Sequence, residues 1–428
     1  MLLLRRDVFG ATIASIFATY AQIIFIAYLG IHLTILGASV LIIGLVFGLR
    51  NIIQILFRIP IGEFSQVTGR KPLILTGMMF YAISFVYMYI ATSWSTVAFA
   101  TLLFGVGMSF YYPSLFAYIA DIADGDYGKI NGIVFQGSDI STIVGAFIIN
   151  LLLNRGILSL AGVFSLSFVV GLFGVIIIAL LLPETLKSEF KVIPASKLSY
   201  LVNSFRGSLQ SFKRMSKMPR LRVIYALQLI IAFGEFFLVS FFGLYIVLAA
   251  GYPFAEVARI IAIGTLILFV FKPYLGSISD RFGFKIPVAF SLLASTVLLV
   301  ALSYFTTMIQ IIIIYAVLRS ITMMSYLAIN GATAYNSSER QRGVAMGTLG
   351  VYVSLGRTIS SISLGLTWYY LERTGRELGD SLLLVFRLAA TIILIATGLV
   401  LLFSRNQSLA KIDNSEPVIP TLDFVSAK

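Results

Sequence analysis

GEFSQVTGRK, at residues 62–71, and GSISDRFGFK, at residues 276–285, are two versions of one motif, 214 residues apart. Each follows an apolar run: Arg58-Ile59-Pro60-Ile61 closes the first and Lys272-Pro273-Tyr274-Leu275 the second. The same offset places Phe57 on Phe271, Arg58 on Lys272, Gly69 on Gly283 and Lys71 on Lys285. Glycine allows a tight turn, and cations keep a short loop on the cytoplasmic face of a membrane. The repetition predicts a chain built twice on one plan.

Composition points the same way. The chain has 428 residues, 59% of them hydrophobic and 11% charged, with mean hydropathy +0.98. That balance excludes a soluble domain and indicates a helical membrane protein. The net charge of +13 reads as positive-inside bias and not as a nucleic-acid surface, because the cations gather in alternate loops. There are no cysteines and one histidine, His32, so disulfides, thiolate sites and multi-histidine metal centres are excluded. No metal and no cofactor is expected. His32 is expected in an outer loop, facing water. The start, MLLLRRDVFG, precedes an apolar run too long for a cleaved signal peptide, so it reads as a retained first helix.

About 20 apolar residues cross a bilayer. Twelve segments qualify: 8–29, 39–59, 72–91, 96–119, 130–153, 159–182, 223–249, 256–275, 286–304, 308–329, 343–371 and 381–403. The predicted fold class is an all-α membrane protein with twelve transmembrane helices in two pseudo-symmetric six-helix halves. Most of the 31 Lys and Arg fall in alternate loops, and the opposite loops hold only Arg155, Arg259, Arg373 and Arg376. That asymmetry predicts cytoplasmic N- and C-termini. The expected divisions are an N-terminal half (1–183), a cytoplasmic central loop (184–222), a C-terminal half (223–404) and a cytoplasmic tail (405–428). Within the central loop, residues 199–215 can form an amphipathic helix on an anionic leaflet. A second repeat signal, at offset 211, matches Gly132 with Gly343 and Gly145 with Gly356.

The paired motif resembles the signature loop of the major facilitator superfamily: Gly, three residues, Asp, a base, any residue, Gly, then two bases. Gly276, Asp280, Arg281, Gly283 and Lys285 fit, with Phe284 where a base is usual. In the first copy Gly62, Gly69, Arg70 and Lys71 fit, while Gln66 and Val67 stand where the family has Asp and a base. Gly105-Val106-Gly107 with Pro113, and Pro183-Glu184-Thr185, resemble further family features. The Gly-Pro-rich motif of many exporting antiporters is absent from the fifth segment. The resemblance implies a central cavity lined by helices 1, 4, 7 and 10. Helices 2, 5, 8 and 11 would form its sides.

Charges at bilayer depth are costly and tend to be functional or paired. Five stand near segment centres: Arg50, Asp139, Glu235, Arg319 and Arg357. By the resemblance, all five fall on helices that reach the cavity. Glu235, within Phe-Gly-Glu-Phe-Phe, sits in an apolar setting that favours the neutral carboxyl. If it alternates between a proton and an arginine, with Arg319 as partner, it couples protons to transport. Asp139 is the second candidate for that role. The alternative is a fixed salt bridge or a permanently protonated acid. The arginines outnumber the acids, and a guanidinium grips a carboxylate or phosphate with two prongs. Arg50, Arg319 and Arg357 are therefore candidate substrate ligands, unless they pair internally, for example Arg50 with Asp139. Tyr20 and Tyr112 are the aromatic candidates. Arg387 can snorkel outward. At the cytoplasmic end, Arg70 is placed to pair with Asp121 or Asp124, and Asp280 to sit at a helix N-terminus. Such contacts would form a gate around the signature loops.

The expected function is secondary active transport of a small organic solute across the cell membrane by alternating access. Proton-coupled uptake of an organic anion leads, and efflux of amphipathic or drug-like compounds is the alternative. A non-transporting membrane sensor is the alternative of another class. No phosphate-cradling GxxxxGK[ST] loop is present, and no clustered nucleophile, base and metal ligands suggest an enzyme. The expected partners are the solute, protons and the lipid bilayer. The protein is expected to work as a monomer.

Overall fold

The computed structural model describes residues 5–122, 127–186, 197–282, 285–337, 342–375 and 377–404. Thirteen α-helices account for nearly all of them, and no strand occurs among them. Before the central connection come α1 (Arg6–Ile35), α2 (Val40–Thr68), α3 (Arg70–Tyr89), α4 (Trp94–Ile122), α5 (Tyr127–Asn154) and α6 (Leu160–Leu181). The connection itself holds α7 (Lys197–Lys217). After it come α8 (Pro219–Leu244), α9 (Ala255–Phe282), α10 (Lys285–Leu302), α11 (Met308–Tyr335), α12 (Arg342–Glu372) and α13 (Leu378–Ser404). Among the described residues, nine helices are long and apolar enough to cross a membrane. The chain is a multi-pass membrane protein.

The helices begin and end for local reasons. Ser39 caps α2, its Oγ accepting from the Ile42 amide at 3.4 Å, and Ser159 caps α6 through the Gly162 amide at 3.1 Å. Pro219 opens α8, where its missing N–H costs nothing. Between α2 and α3 the whole turn is Gly69, at φ +99°, a conformation that side-chain-bearing residues rarely adopt. Gly69 marks the loop end of the bundle.

α1–α6 and α8–α13 meet along two main seams, α2 against α12 and α5 against α9, with α1 packing on α8. Small residues set the approach at the end far from Gly69. A Cβ added to Gly44 of α2 would stand 2.6 Å from the Gly365 Cα of α12, so only glycine permits that spacing. On the other seam Asn150 donates to the Ala255 carbonyl at 2.8 Å, and Asn154 reaches Glu256 at 3.4 Å.

The amphipathic helix expected over 199–215 is present as α7. It lies across the α2–α12 seam. Phe205 meets Phe57 of α2 edge-on at 5.4 Å, and Phe212 packs on Tyr352 of α12 at 5.5 Å. Arg206, Lys213, Arg214 and Lys217 remain exposed.

One expectation fails. His32 is not in a water-facing loop. α1 continues to Ile35, and His32 is buried, its Nε2 3.0 Å from the Met88 carbonyl and its ring against Phe164. The extra turn of helix carries it inside, where the ring satisfies a backbone acceptor.

Candidate functional site

The site grows from one carboxylate. Glu235 follows Gly234 on α8, in the apolar surroundings read from its flanking phenylalanines. Arg319 of α11 donates to Oε1 at 3.3 Å, and Arg357 of α12 donates to Oε2 at 3.3 Å. All three side chains are more than two-thirds buried. Two arginines therefore share one acid, leaving the trio with a net positive charge. Paired charges survive at this depth because each offsets the other's lost hydration.

Arg50 completes the group from α2. It is 1% exposed, and its Nε and Nη1 have no hydrogen-bond partner among the described residues. Its guanidinium lies 5.2 Å from the Phe236 ring centroid, and that of Arg357 lies 5.7 Å from the same ring. An aromatic face attracts cations, so Phe236 holds two like charges near each other. The Nε atoms of Arg319 and Arg357 are also buried without partners. Unfilled donors on three converging guanidiniums form a strong potential grip for an anion.

Tyrosines border this charged cluster. Tyr112 of α4 lies within electrostatic reach of Arg50, Arg58 and Arg357, and its hydroxyl donates to Gln22 Oε1 of α1. Tyr326 of α11 lies within reach of Arg58, Arg357 and Glu235. A small pocket behind Glu235 and Arg319 is lined by the hydroxyl residues Ser291, Ser295, Thr322 and Ser325.

Asp139 lies within electrostatic reach of Arg319 but does not pair with Arg50. Its Oδ2 is 2.5 Å from Lys272 Nζ across the α5–α9 seam. Tyr20 turns elsewhere too, with its hydroxyl 3.4 Å from Ser167 of α6 and its ring over Gly145 of α5. Arg387 donates to Ser303 Oγ at 2.8 Å and stacks on Tyr304.

At the loop end, Arg70 Nε is 3.1 Å from Asp121 Oδ2, and its Nη1 donates to Ser65 Oγ. Glu184, not singled out from the sequence for this role, accepts from the Arg70 amide at 3.0 Å and the Lys71 amide at 3.2 Å. It thereby places a carboxylate at the N-terminus of α3, where the helix dipole favours it. Gly62 lies near the end of α2, facing Pro113 of α4. Gly276, Asp280 and Arg281 lie in the last turns of α9, and Lys285 opens α10. Gly283 and Asp124 fall outside the described residues.

The sequence model of the Major Facilitator Superfamily matches residues 8–361. The chain belongs to the major facilitator superfamily. An MFS-type transporter of Methanocaldococcus jannaschii is 24% identical over 372 residues, covering 85% of this chain and 91% of that protein. Multidrug resistance protein 2 of Bacillus subtilis is 22% identical over 365 residues, covering 80% and 86%. The crystal structure of the nucleoside transporter NupG superposes with TM-score 0.73 at 12% identity. It covers 94% of this chain and 99% of that one, a likeness of fold alone.

For this superfamily member, the charged cluster brings together Arg50, Glu235, Arg319 and Arg357, with Tyr112 within electrostatic reach. Sequence reading missed Arg58, Lys272 and Tyr326. Arg58 and Lys272 were visible as a repeat-related pair, but only as flanks of the signature loop.

Proposed function

We propose that this chain is a secondary active transporter that takes up a small organic anion with protons by alternating access. It would do so as a monomer in the cell membrane, without enzymatic activity. In this reading all twelve long helices cross the bilayer, both termini are cytoplasmic, and two halves, 1–183 and 223–404, rock about the charged cluster. Residues 184–222 form the cytoplasmic connection between them, and 405–428 form a cytoplasmic tail.

The observation that carries it is the sharing of Glu235 by Arg319 and Arg357, beside a buried Arg50 that has no acid among the described residues. With Glu235 ionised, two guanidiniums are occupied. Protonation of Glu235 frees both to grip a solute carboxylate or phosphate, so proton and anion load together. Release of the proton returns the arginines to Glu235 and expels the anion. Asp139 is the second candidate carrier, through Lys272. The loop-end contacts of Arg70, Asp121, Lys71 and Glu184 would serve as the cytoplasmic gate, with Gly276, Asp280, Arg281, Gly283 and Lys285 in the second copy. Efflux of amphipathic compounds is the second reading, favoured by the relative named Multidrug resistance protein 2.

The test is internal pH in proteoliposomes, read by an enclosed dye, as carboxylates or neutral amphipaths are added outside. Protein-free liposomes control for permeant acids. Acidification driven by a carboxylate and lost in Glu235→Gln supports the proposal. Tracer flux without a pH response removes proton coupling. Flux of neutral amphipaths alone favours the second reading.

A further inference from the structure

The chain's two internal offsets make a comparison that neither half offers by itself. At 214 residues, Arg58 of α2 corresponds to Lys272 of α9. At 211 residues, Asp139 of α5 corresponds to Gly350 of α12. The fold brings both sets of equivalents together. Lys272 Nζ meets Asp139 Oδ2 at 2.5 Å on one seam. On the other, Arg58 Nη1 donates to the Gly350 carbonyl at 2.8 Å, with Ser354 Oγ at 3.5 Å.

One seam therefore closes a base on a carboxylate, and the other closes a base on a backbone oxygen where the carboxylate is missing. A carbonyl satisfies one N–H but leaves the charge unbalanced. No acid pairs with Arg58 among the described residues. Arg58 also lies near the charged cluster, since Tyr112 and Tyr326 both lie within its electrostatic reach and that of Arg357. Arg50 and Arg58 are separated by about 12 Å along the α2 axis at about 1.5 Å per residue. The α2–α12 seam thus offers two cationic levels, Arg50 with Arg357 at Phe236, and Arg58 nearer the loop end.

We propose that the solute carries two anionic groups, carboxylate or phosphate, and that Arg58 receives the second of them, in the role Asp139 plays toward Lys272. This rests on the reading that the solute is an anion held by the arginines around Glu235, Arg319 and Arg357, beside Arg50. Gly350 is then a specificity position: keeping it free of an acid reserves Arg58 for the ligand.

Gly350 also supplies the test. A Cβ there would stand 2.9 Å from Arg58 Nη1 and 3.1 Å from its Cδ, the movable parts of a flexible side chain. Gly350→Asp supplies the missing carboxylate, and Gly350→Asn has nearly the same shape without the charge. Binding to the purified full chain would be measured by calorimetry with glutarate against monomethyl glutarate, and with phosphoglycerate against its carboxyl methyl ester. The first pair tests a second carboxylate beside a carboxylate, and the second tests a carboxylate beside a phosphate. Wild-type protein should prefer the doubly anionic member by about tenfold, the value of one charge-assisted hydrogen bond. Gly350→Asp and, independently, Arg58→Gln should nearly abolish that preference while retaining the half-ester, and Gly350→Asn should keep it. Equal binding of both members by wild-type protein, or equal behaviour of the Asp and Asn variants, overturns the proposal and leaves the anion reading standing. A neutral amphipath run in parallel completes the panel, and its binding alone, or binding of nothing in the panel, overturns both.

Discussion

Lys272 of α9 and Asp139 of α5 meet at 2.5 Å, joining helices that lie on opposite sides of α7 in the chain. Both side chains are more than four-fifths buried. Removing one partner of a buried pair leaves an uncompensated charge, costing up to about 3–5 kcal/mol. Asp139→Asn and Lys272→Met should each lower the melting temperature in detergent. The double variant should recover most of the loss. A double-mutant cycle by thermal unfolding measures the coupling, and additive losses would show that the pair contributes nothing.

Arg319 and Arg357 hold different oxygens of Glu235, but only Arg357 also lies over Phe236 beside Arg50. Arg319→Gln should alter the proton dependence of flux and weaken solute binding less than Arg357→Gln does. Arg357→Gln should weaken binding as well, by about tenfold for one lost charge-assisted contact. Parallel binding and dye-based flux measurements separate the two. Identical profiles would mean that the arginines act only as a pair.

Gly69 turns the chain at φ +99° against the Glu184 carboxylate. Gly69→Ala forces a side chain into an extended positive-φ conformation that is essentially confined to glycine, at a cost of about 1–3 kcal/mol. It also displaces Glu184 from the α3 N-terminus. Glu184→Gln loses only the charge there, about 0.3–1 kcal/mol. Thermal unfolding should rank Gly69→Ala as the more damaging. The reverse order would mean that the carboxylate, and not the turn, secures the joint.

His32→Leu preserves bulk against Phe164 but leaves the Met88 carbonyl without its ring partner. The cost of a buried unsatisfied group is about 1–3 kcal/mol. The variant should be less stable, with its proton response in flux unchanged. A changed response would give His32 a part in proton handling.

Several of these relationships were legible in the sequence, and the reason is physical. Glu235, Arg319 and Arg357 interrupt long apolar runs, where an ionised group is too costly to be incidental. The Gly69 turn and α7 announced themselves through glycine and amphipathic spacing. Lys272 did not, because beside a loop motif a lysine reads as a topogenic charge, and depth in the bundle is not written in spacing. The partner of Asp139 was missed for the same reason: the obvious cation at bilayer depth was Arg50, which instead packs on Phe236. His32 was misplaced because α1 outruns its most apolar stretch, and what receives the ring, Met88 and Phe164, belongs to chain far away in sequence.

Helix α7 sets a limit on travel. Phe205 and Phe212 are two turns apart, about 10 Å along a rigid hydrogen-bonded rod, with one anchored on α2 and the other on α12. A rod cannot stretch. The two helices can swivel beneath it while both aromatic contacts persist, but they cannot drift apart unless one contact lets go. If the two sets of helices rock as proposed, α7 would act as a strap across the joint, and its ring contacts with α2 and α12 would help to limit the swing.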